Sequence, residues 1–417
     1  MDSDGFSQPA VRTMKVRCCI VGGGPAGMML GYLLGRAGID AVVLEKHADF
    51  FRDFRGDTVH PSTLQVMDEL GLSDGFLKLP HQRLQKMDGM FGGASVRIAD
   101  LSRLNVKFPF IAFMPQWDFL NFLRESGKRF PSLRVMMSTE AVDLISDGDR
   151  IAGVRAGTPE GMIDIEADLT VACDGRHSLV RERAGLAVEE IGAPMDVLWF
   201  RAGKRANETE SVFARVDPGS MMVTFDRGDY WQCAYVIAKG QYAAVKARGL
   251  PALLEDVARM APILKPGLSE VKSWDDVKLL TVAINRLKRW TRPGLLCIGD
   301  AAHAMSPIGG VGVNLAIQDA VATANLLAAK LVNGCPPEDE LDAVRRRREF
   351  PVRMTQRMQV VAQNNIVSAA LKPGGAPLKV PLVMRLITAV PWLQGITARF
   401  IGLGVRPEHV QSPESRS

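Results

Sequence analysis

Three glycines near the start of the chain have the spacing of a phosphate-binding turn. Gly22, Gly24 and Gly27 form a G-x-G-x-x-G pattern that follows the apolar run 16–21 and precedes a helical pattern. In such a turn the first glycine allows the sharp bend, the second admits a pyrophosphate, and the third lets helix and strand pack closely. Unpaired N–H groups at the helix start attract the phosphates. The spacing therefore predicts a dinucleotide site.

An acidic residue completes this pattern. Glu45 follows a second apolar run, 41–44, and lies 23 residues after Gly22. A carboxylate at this point accepts hydrogen bonds from the hydroxyls of an adenosine ribose and disfavours a 2′-phosphate. The alternative is an α/β turn that binds no ligand. We interpret the segment as a site for FAD or NAD.

Two later strand ends also carry acidic residues. Asp174 and Gly175 follow one apolar run, and Gly299 and Asp300 follow another. Open α/β sheets bind ligands at the carboxyl ends of their strands, although a plain Asp-Gly turn is the alternative for the first pair. A glycine-rich loop then leads into a long Ala/Leu-rich helix, 313–331. The free N–H groups at its start are predicted to contact a flat, partly anionic ligand.

Composition limits the class of protein. The chain has 417 residues, 47% of them hydrophobic, and a net charge of +5, so it offers enough material for two or three domains and no strong basic footprint for nucleic acid. Its six cysteines form no C-x-x-C pair, so we expect no metal site and no redox dithiol. Reduced thiols fit a cytoplasmic protein. No signal peptide and no membrane-spanning helix are expected.

The remaining patterns predict the domain organisation. Alternating apolar and polar residues indicate an antiparallel sheet inserted into a Rossmann-like α/β domain. The apolar segment 378–404 is interpreted as helices packed on the body or on a dimer partner, with a membrane-surface anchor as the alternative. The predicted parts are a flexible N-terminal arm (1–13), a discontinuous FAD-binding domain (14–78, 111–185 and 278–350), a substrate domain (79–110 and 186–277) and a helical C-terminal region (351–417).

Three blocks carry a family resemblance: GGGPAG at 22–27 with Glu45, CDGRHSLVR at 173–181, and CIGDAAHAMSPIGGVGVNLAIQDA at 297–320. In this order they resemble the class A FAD-dependent monooxygenases, the para-hydroxybenzoate hydroxylase-like family, over roughly residues 15–350. The resemblance implies FAD, with NADH or NADPH as a transient reductant. It also implies the following cofactor-binding residues: Gly22, Gly24, Ala26, Gly27, Glu45, Lys46, Arg55, Gln116, Val142, Asp174, Gly175, Gly299, Asp300, Pro307, Gly310, Gly312, Val313 and Asn314.

Within that resemblance each group has a role. Glu45 binds the ribose, Arg55 and Gln116 lie along the pyrophosphate and ribityl chain, and Asp300 holds the ribityl hydroxyls. From the residues alone, Arg55 is equally well a surface arginine. Pro307 lies near the reactive edge of the flavin. No protein nucleophile or metal is implied, because the cofactor carries the oxidative chemistry.

The resemblance implies an enzyme that uses NAD(P)H and molecular oxygen to hydroxylate or epoxidise an aromatic or unsaturated small molecule through a flavin C4a-hydroperoxide. Tyr230, Trp231 and Tyr235 are candidate substrate-lining residues, with structural packing as the alternative. Two rival hypotheses remain open: a reductase of isoprenoid-like double bonds on the same fold, and a non-enzymatic flavoprotein. The identity of the substrate, the choice between NADH and NADPH and the oligomeric state, including a possible homodimer, are not specified.

Overall fold

The computed structural model describes residues 12–51, 57–205, 212–371 and 378–415. Predicted features at residues 1–11 and at Arg55 lie outside these ranges. The strands of the described part are β1 Arg12–Val21, β2 Ala41–Leu44, β3 Thr58–Val59, β4 Gln82–Leu84, β5 Lys86–Phe91, β6 Ala94–Asp100, β7 Ile111–Phe113, β8 Leu133–Met136, β9 Glu140–Asp147, β10 Arg150–Thr158, β11 Gly161–Ala172, β12 Val188–Glu190, β13 Met195–Gly203, β14 Val212–Asp217, β15 Ser220–Asp226, β16 Tyr230–Ala238, β17 Lys278–Leu280, β18 Asn285–Leu287, β19 Thr291–Arg292, β20 Leu295–Cys297 and β21 His303–Ala304.

The helices lie in the same described part of the chain. Their bounds are α1 Pro25–Arg36, α2 Pro61–Glu69, α3 Ser73–Phe76, α4 Gln116–Gly127, α5 Leu179–Arg183, α6 Tyr242–Ala247, α7 Leu250–Met260, α8 Gly312–Leu331, α9 Glu338–Ala362, α10 Ser368–Ala370, α11 Leu382–Ala389 and α12 Pro391–Gly402.

An eight-stranded sheet forms the dinucleotide-binding half. Its main path runs β19-β20-β11-β1-β2-β8, and β20, β11, β1, β2 and β8 are mutually parallel. The apolar strand ends are fully buried because helices cover them. Carboxyl ends of parallel strands share one edge, so the turns after β1, β2, β11 and β20 meet there.

Two details of this sheet differ from the prediction. The sequence pattern predicts an antiparallel meander of short strands that includes the run 133–137, but β8 pairs parallel with β2. It also predicts two separate strands at 163–167 and 169–173, but β11 is one continuous strand. The first half of β11 pairs with both β1 and β10. Because β1 is distant in sequence, no local residue pattern predicts its pairing with this part of β11. For the same reason β1 begins at Arg12, within the predicted flexible arm.

A seven-stranded sheet forms the second half, in the order β17-β13-β16-β15-β14-β5-β6. It is antiparallel except between β14 and β5, which run parallel, so the prediction of a purely antiparallel sheet is wrong at that pair. β17 extends the sheet to Leu280, beyond the predicted boundary at 277. We call the side that packs against α7 the outer face, and the opposite side, which contacts Ile308, the inner face.

The C-terminal helices pack on the body. Thr397, on α12, donates its hydroxyl to the Ile98 carbonyl at 2.7 Å, and the amide of Arg97 donates to the Thr388 hydroxyl at 3.1 Å. The outward side carries exposed apolar residues, among them Leu382 and Trp392, and this is the feature on which the membrane-surface alternative rests.

One helical stretch has the length and apolar composition of a membrane span. Residues Ile308–Leu331 reach a mean hydropathy of 1.2. However, 78% of that stretch is buried inside the fold. We interpret it as the core helix of the dinucleotide-binding half, since α8 packs directly against α1.

Candidate active site

The turn after β1 provides space for a pyrophosphate. Gly22 has a φ of +108°, and a Cβ there would lie 2.4 Å from the Cys173 carbonyl oxygen. At Gly27 a Cβ would lie 1.9 Å from the Gly22 carbonyl oxygen, whereas at Gly24 it would meet no atom within 4 Å. The first and third glycines are thus required by the protein itself. The second faces open space at the start of α1, where a ligand can approach the backbone.

Glu45 lies beside this turn. Its side chain is only 9% exposed, and its Oε2 would lie 3.0 Å from a Cβ placed on Gly23. The His47 amide donates to Glu45 Oε1 at 3.0 Å and fixes the carboxylate. Lys46 points away, towards Glu140, at an N–O distance of 3.9 Å. Val142 is partly exposed on β9.

The two acidic turns after β11 and β20 are close together. Arg176 Nη2 lies 3.8 Å from Asp300 Oδ2, and Arg181 Nη1 donates to the Ala301 carbonyl at 3.2 Å. Asp174 Oδ2 accepts from the Val180 amide at 3.2 Å and so caps α5, while its Oδ1 is buried with no hydrogen-bond partner in the described part of the chain. Burial raises the pKa of Asp174 despite these amide contacts.

Behind Gly299 lies a buried charged network that the sequence analysis missed. Asp319 Oδ2 accepts from the Gly299 amide at 3.1 Å and contacts His303 Nε2 at 2.6 Å, and its Oδ1 accepts from Arg348 Nε at 2.9 Å. Burial alone would raise the pKa of Asp319, but His303 and Arg348 outweigh burial and hold it below its usual range. The available signal was that Asp319 is the sole acidic residue in the apolar helix α8.

The glycine-rich loop before α8 contacts the segment after residue 56. Thr58 donates its hydroxyl to the Gly310 carbonyl at 2.9 Å, and Asn314 Oδ1 accepts from the Thr63 hydroxyl at 2.6 Å. Gln116 is the first residue of α4. Pro307 begins the short 3₁₀ turn that leads to α8. The backbone N–H groups of the first turn of α8 have no partner within the helix, so they can stabilise negative charge.

The inner face of the seven-stranded sheet lies against this loop. Ile308 packs with Val197 and Val236 on that face. Phe225 contacts Trp199, with 6.0 Å between ring centroids, and also Phe113, at 5.1 Å. An apolar and aromatic wall therefore stands beside the turn that Pro307 begins.

Two of the three predicted substrate-lining residues lie on the outer face of the seven-stranded sheet. Trp231 and Tyr235 are 1% and 7% exposed and pack in the cluster that contains Val257 of α7, on the outer face. Alternate residues of a strand point to opposite faces, so only Tyr230 of the three shares the inner face. Arg201 stacks on its ring at 4.9 Å.

Comparisons with known proteins agree with this geometry. Residues 15–358 match the family model described as "FAD binding domain". The chain is 31% identical over 384 residues to the 6-methylpretetramide 4-monooxygenase of Streptomyces rimosus, covering 90% of this chain and 91% of that protein. The crystal structure of p-nitrophenol 4-monooxygenase PnpA from Pseudomonas putida DLL-E4 superposes with a TM-score of 0.72 at 21% identity, over 94% of each chain, and shows the same fold.

The chain is a group A FAD-dependent monooxygenase. The family predicted from the three sequence blocks is confirmed, and the alternative of an isoprenoid reductase is not favoured. A second relative, the para-nitrophenol 4-monooxygenase of Pseudomonas sp. strain WBC-3, is 25% identical over 79% of this chain and 82% of its own length.

The residues of this monooxygenase fit FAD. The open space at Gly24, the carboxylate of Glu45 and the orphaned Oδ1 of Asp174 all lie at the edge where the parallel strands end. A dinucleotide would supply phosphate oxygens for the N–H groups that begin α1, a ribose hydroxyl beside the Glu45 carboxylate, and a donor for the unpaired Oδ1 of Asp174.

Proposed function

We propose that this monooxygenase hydroxylates a polycyclic aromatic substrate held between the inner face of the seven-stranded sheet and the loop that Pro307 begins. The proposal rests chiefly on the packing of Ile308 against the inner-face cluster that contains Val197 and Val236, which brings this side of the sheet close to the start of α8. A flat ring system bound there would stack on aromatic side chains such as Phe225.

The cofactor would lie along the edge of the parallel sheet. In this proposal the Gly22–Gly27 turn and Glu45 hold the ADP half, Asp174 and Asp300 accept hydrogen bonds from hydroxyl groups, and the start of α8 faces the flavin ring. Bound FAD, reduced by NADH or NADPH, supplies the oxygen-transfer chemistry. The amides that begin α8 would stabilise negative charge on the ring system.

The protein's own contribution is positioning and exclusion of water. Ile308 packs against an apolar cluster on the inner face, so a substrate bound on that cluster would lose much of its hydration. No side chain needs to act as a nucleophile, since the oxygen is transferred by the cofactor. Inner-face residues would determine which ring carbon faces the cofactor, because a displacement of about 1 Å is costly to such a reaction.

The substrate class is supported by the relatives. The name of the Streptomyces rimosus relative specifies hydroxylation of 6-methylpretetramide, and that protein matches this chain over nearly its full length. A second relative is named for para-nitrophenol. Both names describe aromatic compounds, and the aromatic wall around Phe225 suits the larger kind.

The test is turnover of the FAD-loaded protein with 6-methylpretetramide and, separately, para-nitrophenol, under ¹⁸O₂. We expect the polycyclic compound to accelerate NADH or NADPH oxidation and to gain one ¹⁸O atom, detected by mass spectrometry. A product that gains hydrogen without oxygen would contradict monooxygenation. Faster oxidation and incorporation with para-nitrophenol than with the polycyclic compound would contradict the proposed substrate class.

A further inference from the structure

Two buried hydrogen-bond donors on the inner side of the seven-stranded sheet have no acceptor. The indole Nε1 of Trp199, on β13, is buried without a partner, and so is Nη1 of Arg227, in the turn between β15 and β16, among the residues that the structure describes. The Arg227 side chain is only 4% exposed. Buried donors in proteins are nearly always paired, so two orphans in one region call for a ligand.

Both donors adjoin the same aromatic ring. The Trp199 and Phe225 rings lie 6.0 Å apart at an angle of 20°, and the guanidinium carbon of Arg227 lies 5.9 Å from the centre of the Phe225 ring. Indole and guanidinium nitrogens donate and do not accept. The missing partner is therefore an acceptor oxygen beside an aromatic wall, and neither a cation nor an N–H group would suit it.

The guanidinium is fixed on its other sides. Arg227 Nη2 lies 2.6 Å from Asp57 Oδ2, and Nε donates to Gln232 Oε1 at 2.9 Å. Asp57 directly precedes Thr58, whose hydroxyl donates to the Gly310 carbonyl. The ion pair thus joins the sheet to the loop before α8, on the side of the sheet that faces the cofactor half.

We propose that Trp199 and Arg227 hold an ionised hydroxyl oxygen of the substrate, a phenolate or enolate, while Asp57 keeps the guanidinium in place. This inference deepens the proposed function and rests on it. A fixed positive charge makes the hydrogen bond to an ionised oxygen stronger than one to a neutral oxygen. The hydroxyl proton passes to solvent on binding. The ionised oxygen donates electron density to its ring, which makes the ring carbons better acceptors of an electrophilic oxygen atom.

The test uses the FAD-loaded protein and a matched pair of probes, 4-nitro-1-naphthol and its methyl ether, 1-methoxy-4-nitronaphthalene. Difference absorbance reports whether the naphthol is bound as its anion. We expect the pKa of the bound naphthol to fall by about one unit or more, and the ether to bind at least about tenfold more weakly. Equal affinity for the two probes, or no measurable binding of the naphthol, would overturn the proposal.

Variants assign the effect to the two donors. Trp199→Phe removes only the N–H group and should weaken naphthol binding about threefold to tenfold while leaving the ether unchanged. The double variant Asp57→Asn/Arg227→Gln avoids leaving a carboxylate unpaired and should abolish the preference for the naphthol. The matched control is Trp274→Phe, which removes an indole N–H from the cluster under the outer face and should change neither affinity.

Flavin content and circular dichroism show whether each variant folds. If the double variant does not fold, the result for Trp199→Phe alone tests the proposal. An unchanged preference in Trp199→Phe, with the flavin retained, would overturn the assignment of its indole. If the protein prefers the naphthol to its ether but hydroxylates no aromatic compound, the proposed function is wrong and the proposed binding site is supported. If an aromatic compound is hydroxylated but the variants bind the two probes as the wild type does, the proposed binding site is wrong and the proposed function is supported.

Discussion

Two of the buried arginine side chains in this monooxygenase, Arg348 in one half of the molecule and Arg227 in the other, are paired differently. Arg348, on α9, is 1% exposed; its Nε donates to Asp319 at 2.9 Å and its Nη1 donates to the Arg406 carbonyl at 3.3 Å. None of its nitrogens is among the buried atoms that lack a partner. Arg227 is 4% exposed and also has a carboxylate partner, yet its Nη1 has no acceptor in the described part of the chain.

The difference between the two networks indicates different roles: the Arg348 network supports the structure, and the Arg227 network binds a ligand. The Arg348 network is closed, and through Asp319 it fixes the amide of Gly299 at the turn where we place the cofactor. A closed buried network specifies one conformation. The Arg227 network is open on the side that faces the aromatic wall, so it is complete only when a ligand supplies an acceptor. The same pair of residue types therefore serves structure in one half and recognition in the other.

The largest effect is expected from a substitution that prevents cofactor binding and leaves both arginines unchanged. Gly24→Val fits the protein, because a Cβ there meets no atom within 4 Å, but its methyl groups would occupy the space for the pyrophosphate. We expect FAD affinity to fall at least about a hundredfold, a loss of roughly 3 kcal/mol, measured by flavin titration of the apoprotein. Gly157→Ala, near only Met162 Sδ at 3.9 Å, is the control. Retention of stoichiometric FAD by Gly24→Val would refute the phosphate assignment.

The second prediction compares the two arginines directly. Arg348→Met should lower the free energy of unfolding by about 3–5 kcal/mol, because the buried Asp319, whose pKa is depressed, would lose its guanidinium partner and keep only His303 and the Gly299 amide. Arg227→Met should cost less, about 1–2 kcal/mol, because burial already raises the pKa of Asp57, which can take up a proton instead. Urea denaturation of the FAD-loaded variants measures both values. An equal or larger loss of unfolding free energy in Arg227→Met would contradict the distinction between the closed and the open network.

The third prediction concerns acid sensitivity in the cofactor half. His60 is fully buried, its Nδ1 lies 2.7 Å from the Ile401 carbonyl oxygen, and burial lowers its pKa to about 4. The unfolded chain takes up this proton near pH 6.5 and the folded chain does not, so stability is full above pH 6.5 and falls as the pH approaches 4. The loss should reach about 3 kcal/mol.

His60→Asn keeps a donor towards the Ile401 carbonyl and should flatten this part of the pH profile in urea denaturation. The Asp319 network stabilises the fold throughout this pH range and loses its contribution only at still lower pH, because the pKa of Asp319 lies below its usual range. His81→Asn, a substitution at a half-buried histidine, is the control and should leave the slope unchanged. A slope that persists in His60→Asn would assign the acid sensitivity to another group.

The cofactor half was largely predictable from the sequence because its signals are local. The glycine spacing, the apolar runs and Glu45 lie within one continuous segment, and β2 covers the predicted apolar run 41–44. The Asp57–Arg227 pair joins two distant segments through the register of a sheet, and no spacing rule reveals such a contact. The orientation of β16 was equally hidden: seven consecutive residues of this strand are buried, so no alternation of polar residues distinguishes its faces.

The smallest effect is expected from two matched substitutions on β16, which test the orientation of this strand. Tyr230→Phe removes a hydroxyl from the inner side, near Arg201, and should change kcat/KM for a hydroxylated aromatic substrate about threefold to tenfold. Tyr235→Phe removes a hydroxyl from the outer face, where burial raises the pKa of Tyr235 to about 12, and should leave kcat/KM within about twofold. Steady-state kinetics at saturating NADPH measures both. A larger loss for Tyr235→Phe than for Tyr230→Phe would mean that the outer face contacts the substrate, and the open network around Arg227 would then need a structural explanation.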